Sequence, residues 1–260
     1  MANDASEESR TYWQRRAATF GSTCGKSPYA TAFIERLALD DGDSVFDMGC
    51  ATGTLALPLA RQGHSVLACD FSPNMIEILS SRAKEEDLPI QTKLMAWEDA
   101  WEECGIEPKC VDVAVASRSI SFDDIGTYLN KLEWVARKKA AITVPATATP
   151  AYEPKLCAYL GRSVPTRRLD VKAFSVLAEK GRYPRVSYIP APRPMNFDSL
   201  ETACMELEKM TGSEPLSEQE RQLFDAYAQE HFKMVEQEGE ERFVLDYNLT
   251  VQWAFISWDL

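Results

Sequence analysis

The feature that most constrains the fold of this chain is the segment 45–55, VFDMGCATGTL. A short apolar run ends at Asp47, and small residues follow at Gly49, Ala51 and Gly53. Small residues let the backbone turn tightly and approach a ligand with no side chain in the way. A buried strand, a small-residue loop and a helix start in this order are typical of a βαβ nucleotide-binding unit.

A second acid supports this interpretation and narrows the choice of nucleotide. The apolar run 65–69 ends in Asp70, about 20 residues after Gly49, where an acid can accept hydrogen bonds from ribose hydroxyls. A dinucleotide fingerprint reads G-x-G-x-x-G, but Thr54 stands where its third glycine would fall. A carboxylate at Asp47 would also repel a pyrophosphate. The loop therefore favours a nucleoside with a cationic group over NAD.

The loop resembles motif I of the class I S-adenosylmethionine (SAM) dependent methyltransferases, D/E-x-G-x-G-x-G, with Ala51 at the middle glycine. Segment 70–75, DFSPNM, is similar to D-x-S-x-x-M of that family, and 111–119 resembles its motif IV strand. The segment around Tyr12 and Trp13 resembles the amino-terminal helix of the small-molecule "type 11" members. The resemblance covers residues from about 10 to 145 and weakens sharply after Val144.

The resemblance implies a fold, a cofactor and a set of site residues. It implies an α/β, Rossmann-like doubly wound seven-stranded sheet, with an antiparallel closing strand at 251–256 and an inserted helical lid. It also implies SAM as cofactor, S-adenosyl-L-homocysteine as product and a small-molecule methyl acceptor. The implied substrate contacts are Tyr12, Trp13 and Arg118. The implied cofactor contacts are Asp47, Gly49, Cys50, Ala51, Gly53, Asp70, Phe71, Met75, Trp97, Glu98 and Ser117.

Several of these residues also have a purely structural interpretation. Trp97 either contacts the adenine or packs in the core, where tryptophan is usually found. Arg118, at the end of an apolar strand, either closes a salt bridge or binds substrate. The thiols of Cys50 and Cys69 are compatible with packing alone. No general base stands out, and a non-catalytic SAM-binding scaffold, an NAD-using protein and a protein or RNA methyltransferase remain as alternatives.

Composition excludes some classes of function. The net charge of −12 disfavours nucleic acid as a partner, because phosphate binding needs a positive surface. Seven scattered cysteines without a C-x-x-C pair argue against disulfides and structural zinc and favour a reducing cytoplasmic location. There is no long apolar run for a membrane span, and no metal site is expected.

Segment 162–193 is basic and 198–246 acidic, which indicates either mutually neutralising surfaces or a basic lid for an anionic substrate.

The expected organisation has three parts. Residues 1–40 form cofactor-covering helices, 41–145 with 242–260 form the SAM-binding core, and 146–241 form the lid that selects the substrate. Pro190, Pro192 and Pro194 predict a stiff linker. The predicted core strands are 44–48, 65–69, 90–95, 111–116 and 139–144. The predicted helices include 27–38, 54–62, 73–86, 124–136, 154–161 and 170–180, and the tail 242–258 is predicted to be a strand or hairpin.

Overall fold

The computed structural model describes residues 27–120, 124–146, 152–166, 168–237 and 239–260. The chain divides into two compact units, the first built from Met1–Val144, Asp170–Ile189 and Ala254–Leu260, and the second from Pro145–Leu169 and Pro190–Trp253. No helix in the described ranges is long and apolar enough to cross a membrane.

The secondary structure alternates between strands and helices in the first half of the chain, as the resemblance implies. The helices are α1 Pro28–Leu37, α2 Ala56–Arg61, α3 Pro73–Glu85, α4 Ile125–Val135, α5 Pro154–Tyr159, α6 Leu169–Glu179, α7 Leu200–Glu208 and α8 Glu218–His231. The strands are β1 Val45–Met48, β2 Val66–Asp70, β3 Ile90–Leu94, β4 Val111–Ser117, β5 Ala136–Pro145, β6 Arg185–Arg193, β7 Asn196–Phe197, β8 Phe232–Gln237, β9 Glu240–Leu245 and β10 Leu249–Asp259.

A seven-stranded sheet in the order β3-β2-β1-β4-β5-β10-β6 confirms the predicted doubly wound fold. The strands β1 to β5 run parallel, and the strand order reverses between β1 and β4. Ala146 N–H donates to the Gln252 carbonyl, and Leu260 N–H donates to the Lys138 carbonyl, so β10 runs antiparallel to β5 as predicted. In sheets of this kind the ligand crevice opens at the reversal, beyond the carboxyl ends of the strands.

The strands at that reversal are apolar because the sheet is covered on both faces. All four residues of β1 are buried, as are most of those in β4. The helix after β2 begins as its sequence predicts: Ser72 accepts a hydrogen bond from Met75 N–H, and Pro73 occupies the first helical position. Burial of Met75, Leu79 and Ala83 places one face of α3 in the core.

The predicted stiff linker at the prolines was wrong in part, because Pro190 and Pro192 lie within β6. This strand ends the sheet and has only β10 as a neighbour. A proline has no N–H to offer a neighbouring strand, so a sheet accommodates it at an edge, where one row of backbone groups faces no partner. The prolines therefore mark an edge strand here.

The second unit contains a small sheet that the sequence pattern did not predict. Strands β7, β9 and β8 form a three-stranded antiparallel sheet, so 240–245 lies outside the main sheet and the closing strand begins only at Leu249. Gln237 pairs with Glu240, and Gly239 in the connection has a φ of +83°, which glycine adopts easily. The insert thus combines helices with a sheet, and its role as a lid stays a prediction.

The core of the first unit should be sensitive to truncation of Phe33. This α1 side chain is fully buried and packs edge-on against Phe255 of β10, with 5.0 Å between ring centroids. We expect Phe33→Ala to lower the free energy of unfolding by about 3–5 kcal/mol, measured by denaturant titration. Tyr183→Ala, at a side chain that is 90% exposed, should change it by less than about 0.5 kcal/mol. Equal effects of the two variants would contradict this packing.

Candidate functional site

The loop after β1 is held against the end of β2 by backbone hydrogen bonds. Gly49 N–H and Cys50 N–H both donate to the Cys69 carbonyl, over 2.8 and 3.0 Å, and Gly53 N–H donates to the Cys50 carbonyl over 3.0 Å. Gly49 has a φ of +79°, and a Cβ built there would lie 2.3 Å from Ser119 Cβ. Only glycine fits this position, because the loop touches the chain that leaves β4.

Asp70, at the end of β2, joins this loop to the start of α3. Its carboxylate accepts hydrogen bonds from Ala51 N–H and from Ser72 N–H, each over 2.9 Å. Burial raises the pKa of this carboxyl, while the backbone donors Ser72, Ala51 and Phe71 lower it. Phe71 itself is half-buried. The predicted ribose-binding acid therefore sits beside the small-residue loop, as its spacing from Gly49 requires.

Asp47 is the most unusual group in the site. It is 1% exposed, and neither carboxylate oxygen has a hydrogen-bond partner among the residues that the structure describes. Burial, followed by the nearby charge of Asp70, raises its pKa to about 7. A buried carboxylate without a hydrogen-bond partner is strongly unfavourable, so it calls for a donor that the described residues do not supply. A cationic donor group, such as an ammonium, fits this position.

A cluster that the sequence did not reveal lies at the ends of β4 and β5. The Tyr29 hydroxyl is 2.9 Å from Ser117 Oγ and 2.6 Å from Thr143 Oγ1. The Arg118 guanidinium lies over the Tyr29 ring, 4.2 Å from its centroid. Ser119 Oγ donates to the Met48 carbonyl over 2.7 Å, which ties β4 back to β1. These residues are distant in the chain, so no local pattern indicates that they meet.

The loop after β3 carries Trp97 and Glu98. Trp97 is buried, and its ring meets that of Tyr128 edge-on at 4.8 Å. Its indole N–H has no hydrogen-bond partner within the described part of the chain. Glu98 is exposed. The Lys131 ammonium holds this turn by donating to the carbonyls of Trp97 and Asp99, over 2.5 and 2.9 Å. Both interpretations of Trp97 stay open, since the ring is packed and its N–H is available to a ligand.

The remaining predicted contact residues are either buried or lie outside the residues that the structure describes. The side chains of Met75 and Cys50 are buried, and burial raises the pKa of the Cys50 thiol well above its usual value, so it stays neutral. Their side chains belong to the packing beneath the site. Tyr12 and Trp13 lie outside the described residues. In the described ranges, no group of three His, Cys, Asp or Glu side chains is arranged to hold a metal ion.

Ion pairs account for several of the basic side chains in 162–193. Lys180 and Arg182 both bind Glu133, Arg162 binds Glu220, and Arg185 binds Asp259. Of these four, Arg162 alone pairs with an acid of segment 198–246, so the predicted neutralisation between the two segments is supported by one pair, and the other three are neutralised by Glu133 and Asp259. The lid for an anionic substrate is correspondingly less supported by these four residues.

Comparison with known proteins identifies a related domain. Residues 45–139 match a family model described as "Methyltransferase domain". The segment from β1 into β5 is therefore similar to a methyltransferase domain. The match begins with β1 and includes the loop, Asp70 and the motif IV strand, which are the parts on which the resemblance depends.

Individual relatives agree over part of their length. An uncharacterised protein of Haemophilus influenzae is 32% identical over 134 residues, which cover 50% of this chain and 48% of that protein. A ubiquinone biosynthesis O-methyltransferase of Xylella fastidiosa is 32% identical over 73 residues, covering 28% and 30%. The chain thus spans about half or less of the curated relatives it matches. The solved structure of the YcgJ protein from Bacillus subtilis shares the fold, with a TM-score of 0.55 at 12% identity, covering 89% of this chain and 97% of that one.

The close approach at Gly49 can be tested against a matched glycine. Gly42 has the same φ of +79°, but a Cβ there would meet nothing within 4 Å. Gly42→Ala should therefore cost only the left-handed backbone conformation, about 1–2 kcal/mol of unfolding free energy. Gly49→Ala should cost about 1–3 kcal/mol more, because the methyl group meets Ser119. Similar losses in the two variants, measured by denaturant titration, would contradict the contact.

The pKa of Asp47 predicts the pH dependence of stability. The carboxyl ionises near 3.8 in an unfolded chain and near 7 in the folded protein. Between about pH 4 and 7 the folded protein keeps a proton that the unfolded chain has released, so this group lowers stability as the pH rises through that window. Asp47→Asn should remove this loss of stability between about pH 4 and 7.

The measurement is denaturant unfolding at a series of pH values for the unmodified protein and the variant. Asp124→Asn is the control, since hydrogen bonds from Thr127 lower the pKa of the exposed Asp124 carboxyl. Asp124 therefore contributes stability that is lost as the pH falls, which is the opposite sign to Asp47. This loss is confined to acid pH, below the usual pKa of the carboxyl. A pH profile for Asp47→Asn parallel to that of the unmodified protein between pH 4 and 7 would show that Asp47 is already ionised.

Proposed function

We propose that this protein binds SAM at the carboxyl ends of β1, β2 and β4 and transfers its methyl group to a small-molecule acceptor. The observation that carries the proposal is the buried, unpartnered carboxylate of Asp47 at the end of β1. SAM offers a positive group to such a carboxylate, whereas the pyrophosphate of NAD would be repelled by it. The match of residues 45–139 to a methyltransferase domain model supports the same choice.

Each residue of the site would contact a different part of the cofactor. When bound, SAM supplies a methyl group on a positively charged sulfur, which is already reactive toward nucleophiles. Asp47 would face the amino-acid ammonium, and Asp70 would accept hydrogen bonds from the ribose hydroxyls. Gly49 and Gly53 would allow the backbone to approach, and Trp97 would border the adenine. Holding two reactants in a productive orientation lowers the barrier without covalent chemistry by the protein, and we assign no general base.

The proposal of a small-molecule acceptor rests on the net charge of the chain and on the sequence of the motif IV strand. A net charge of −12 opposes binding to nucleic acid. The end of the motif IV strand reads ASRS at 116–119 and lacks the N/D-P-P-Y/F pattern typical of methylation at planar amide or base nitrogens. The Xylella relative is named as a methyltransferase of ubiquinone biosynthesis, which supports a small acceptor for this chain too. The accepting atom is not assigned.

The direct test is calorimetric titration of the purified protein with SAM, S-adenosyl-L-homocysteine and NAD. We expect binding of the first two and none of NAD. Binding of NAD instead would overturn the interpretation of the loop at Gly49, and binding of none of the three would overturn the proposed cofactor. A positive result leads directly to a screen of small acceptors with isotopically labelled methyl groups, which separates an enzyme from a non-catalytic SAM-binding protein.

Removing the charge of Asp70 should weaken cofactor binding. Asp70→Asn keeps the size of the side chain but replaces one acceptor oxygen by a donor, so a ribose hydroxyl loses its partner. Loss of a hydrogen bond to a charged group costs about 1.5–3 kcal/mol, which corresponds to a SAM dissociation constant about tenfold higher or more. Glu77→Ala removes an exposed acid of α3 nearby in sequence and should leave the constant unchanged. Unaltered binding by Asp70→Asn would exclude the ribose contact.

A further inference from the structure

We propose that Arg118, positioned by Tyr29, binds the α-carboxylate of the cofactor's amino-acid end. This inference rests on the proposed function and deepens it. The amino-acid end of SAM is a zwitterion, so its site needs an acceptor for the ammonium and a cation for the carboxylate. Asp47 can supply the first, and the geometry around Tyr29 points to Arg118 for the second.

Tyr29 joins three elements at the carboxyl edge of the sheet. It is the second residue of α1 and is only 5% exposed. Its hydroxyl lies within hydrogen-bond distance of Ser117 at the end of β4 and of Thr143 near the end of β5. Burial is the largest influence on its pKa and raises it, so the phenol stays protonated. The ring is therefore fixed in orientation at both its hydroxyl and its helix.

Arg118 is fixed on that ring in an unusual backbone conformation. Its φ is +57°, a left-handed value that residues with a side chain adopt at some cost in energy. Its backbone N–H donates to Thr143 Oγ1 over 3.1 Å, the same hydroxyl that meets Tyr29. The guanidinium carbon lies 4.2 Å from the centre of the Tyr29 ring. Stacking on an aromatic face stabilises a guanidinium.

The charges of Asp47 and Arg118 both influence the pKa of the Tyr29 hydroxyl. The guanidinium lowers the pKa of the phenol, and the Asp47 carboxylate raises it. In the sheet, Asp47 pairs with Val115, so the chain reaches Arg118 just beyond the β4 end that neighbours Asp47. A carboxyl group and a guanidinium group thus lie at the ends of adjacent strands. This pair matches a bound amino-acid zwitterion, and a guanidinium binds a carboxylate through two parallel hydrogen bonds.

The test compares SAM with its decarboxylated analogue, which keeps the adenosine, the sulfonium and the amine but lacks the carboxylate. We expect the unmodified protein to bind SAM about tenfold more tightly, or better, than the analogue. Arg118→Gln should abolish that preference by weakening SAM alone. Tyr29→Leu should reduce the preference, because it removes the ring that supports the guanidinium, and Tyr29→Phe should largely retain it.

Controls separate a carboxylate contact from damage to the fold. Arg36→Gln removes an exposed arginine of α1 and should leave both affinities unchanged. Binding of 5′-methylthioadenosine, which lacks the amino-acid end, reports on the adenosine half of the site in every variant. Equal loss of SAM and analogue binding in Arg118→Gln would overturn the proposal. No loss of either would also overturn it, and this outcome includes the case in which Arg118 binds the acceptor instead.

The unmodified protein provides a second, independent measurement. Equal affinity for SAM and its decarboxylated analogue would overturn the carboxylate contact, even if the Arg118 variant did not fold. Failure to bind SAM at all would instead overturn the proposed function. The two failures are therefore distinguishable by one set of titrations.

Discussion

The burial of a carboxylate at the reversal of strand order is the constraint around which the first unit is arranged. Asp47 lies near the end of a strand whose residues are all buried, and its oxygens have no hydrogen-bond partner among the described residues. The described neighbouring residues do not satisfy its hydrogen-bonding capacity. A protein that needed only a stable sheet would not require a charge there, since a buried charge is costly unless it is paired. We therefore regard this residue as the centre of the candidate site.

The surrounding structure holds the small-residue loop after β1 in place from two sides. Backbone hydrogen bonds to the Cys69 carbonyl and to the Asp70 carboxylate hold the small-residue loop against β2. On the other side, Ser119 ties the end of β4 to β1 and lies where a side chain at residue 49 would be. Two neighbouring strands thus restrain one loop from both sides. Such restraint is what orientation-dependent catalysis needs from a protein that makes no covalent bond to its substrate.

The two units differ in how much of their structure serves this site. The first unit contains the sheet, its covering helices and the predicted cofactor residues that the structure describes. The second has its own apolar core, formed by residues such as Leu207 and Phe224, and its own small sheet. Its charged side chains include internal pairs such as Arg162 with Glu220. Its contribution to substrate choice remains a prediction, since neither its fold nor its ion pairs name a ligand.

The sequence by itself determined the βαβ unit, the resemblance to class I SAM-dependent methyltransferases and the positions of Asp47, Gly49 and Asp70, because local spacing along adjacent strands and loops encodes them. It also predicted the bounds of most core elements to within a few residues. It misread Pro190 and Pro192, since an edge strand and a linker look alike until the neighbouring strands are known. The meeting of Tyr29 with Thr143 and Arg118 was decided only by tertiary structure. Contacts between residues about 90 to 115 positions apart leave no periodic signal, because they depend on how the sheet brings separate strand ends together.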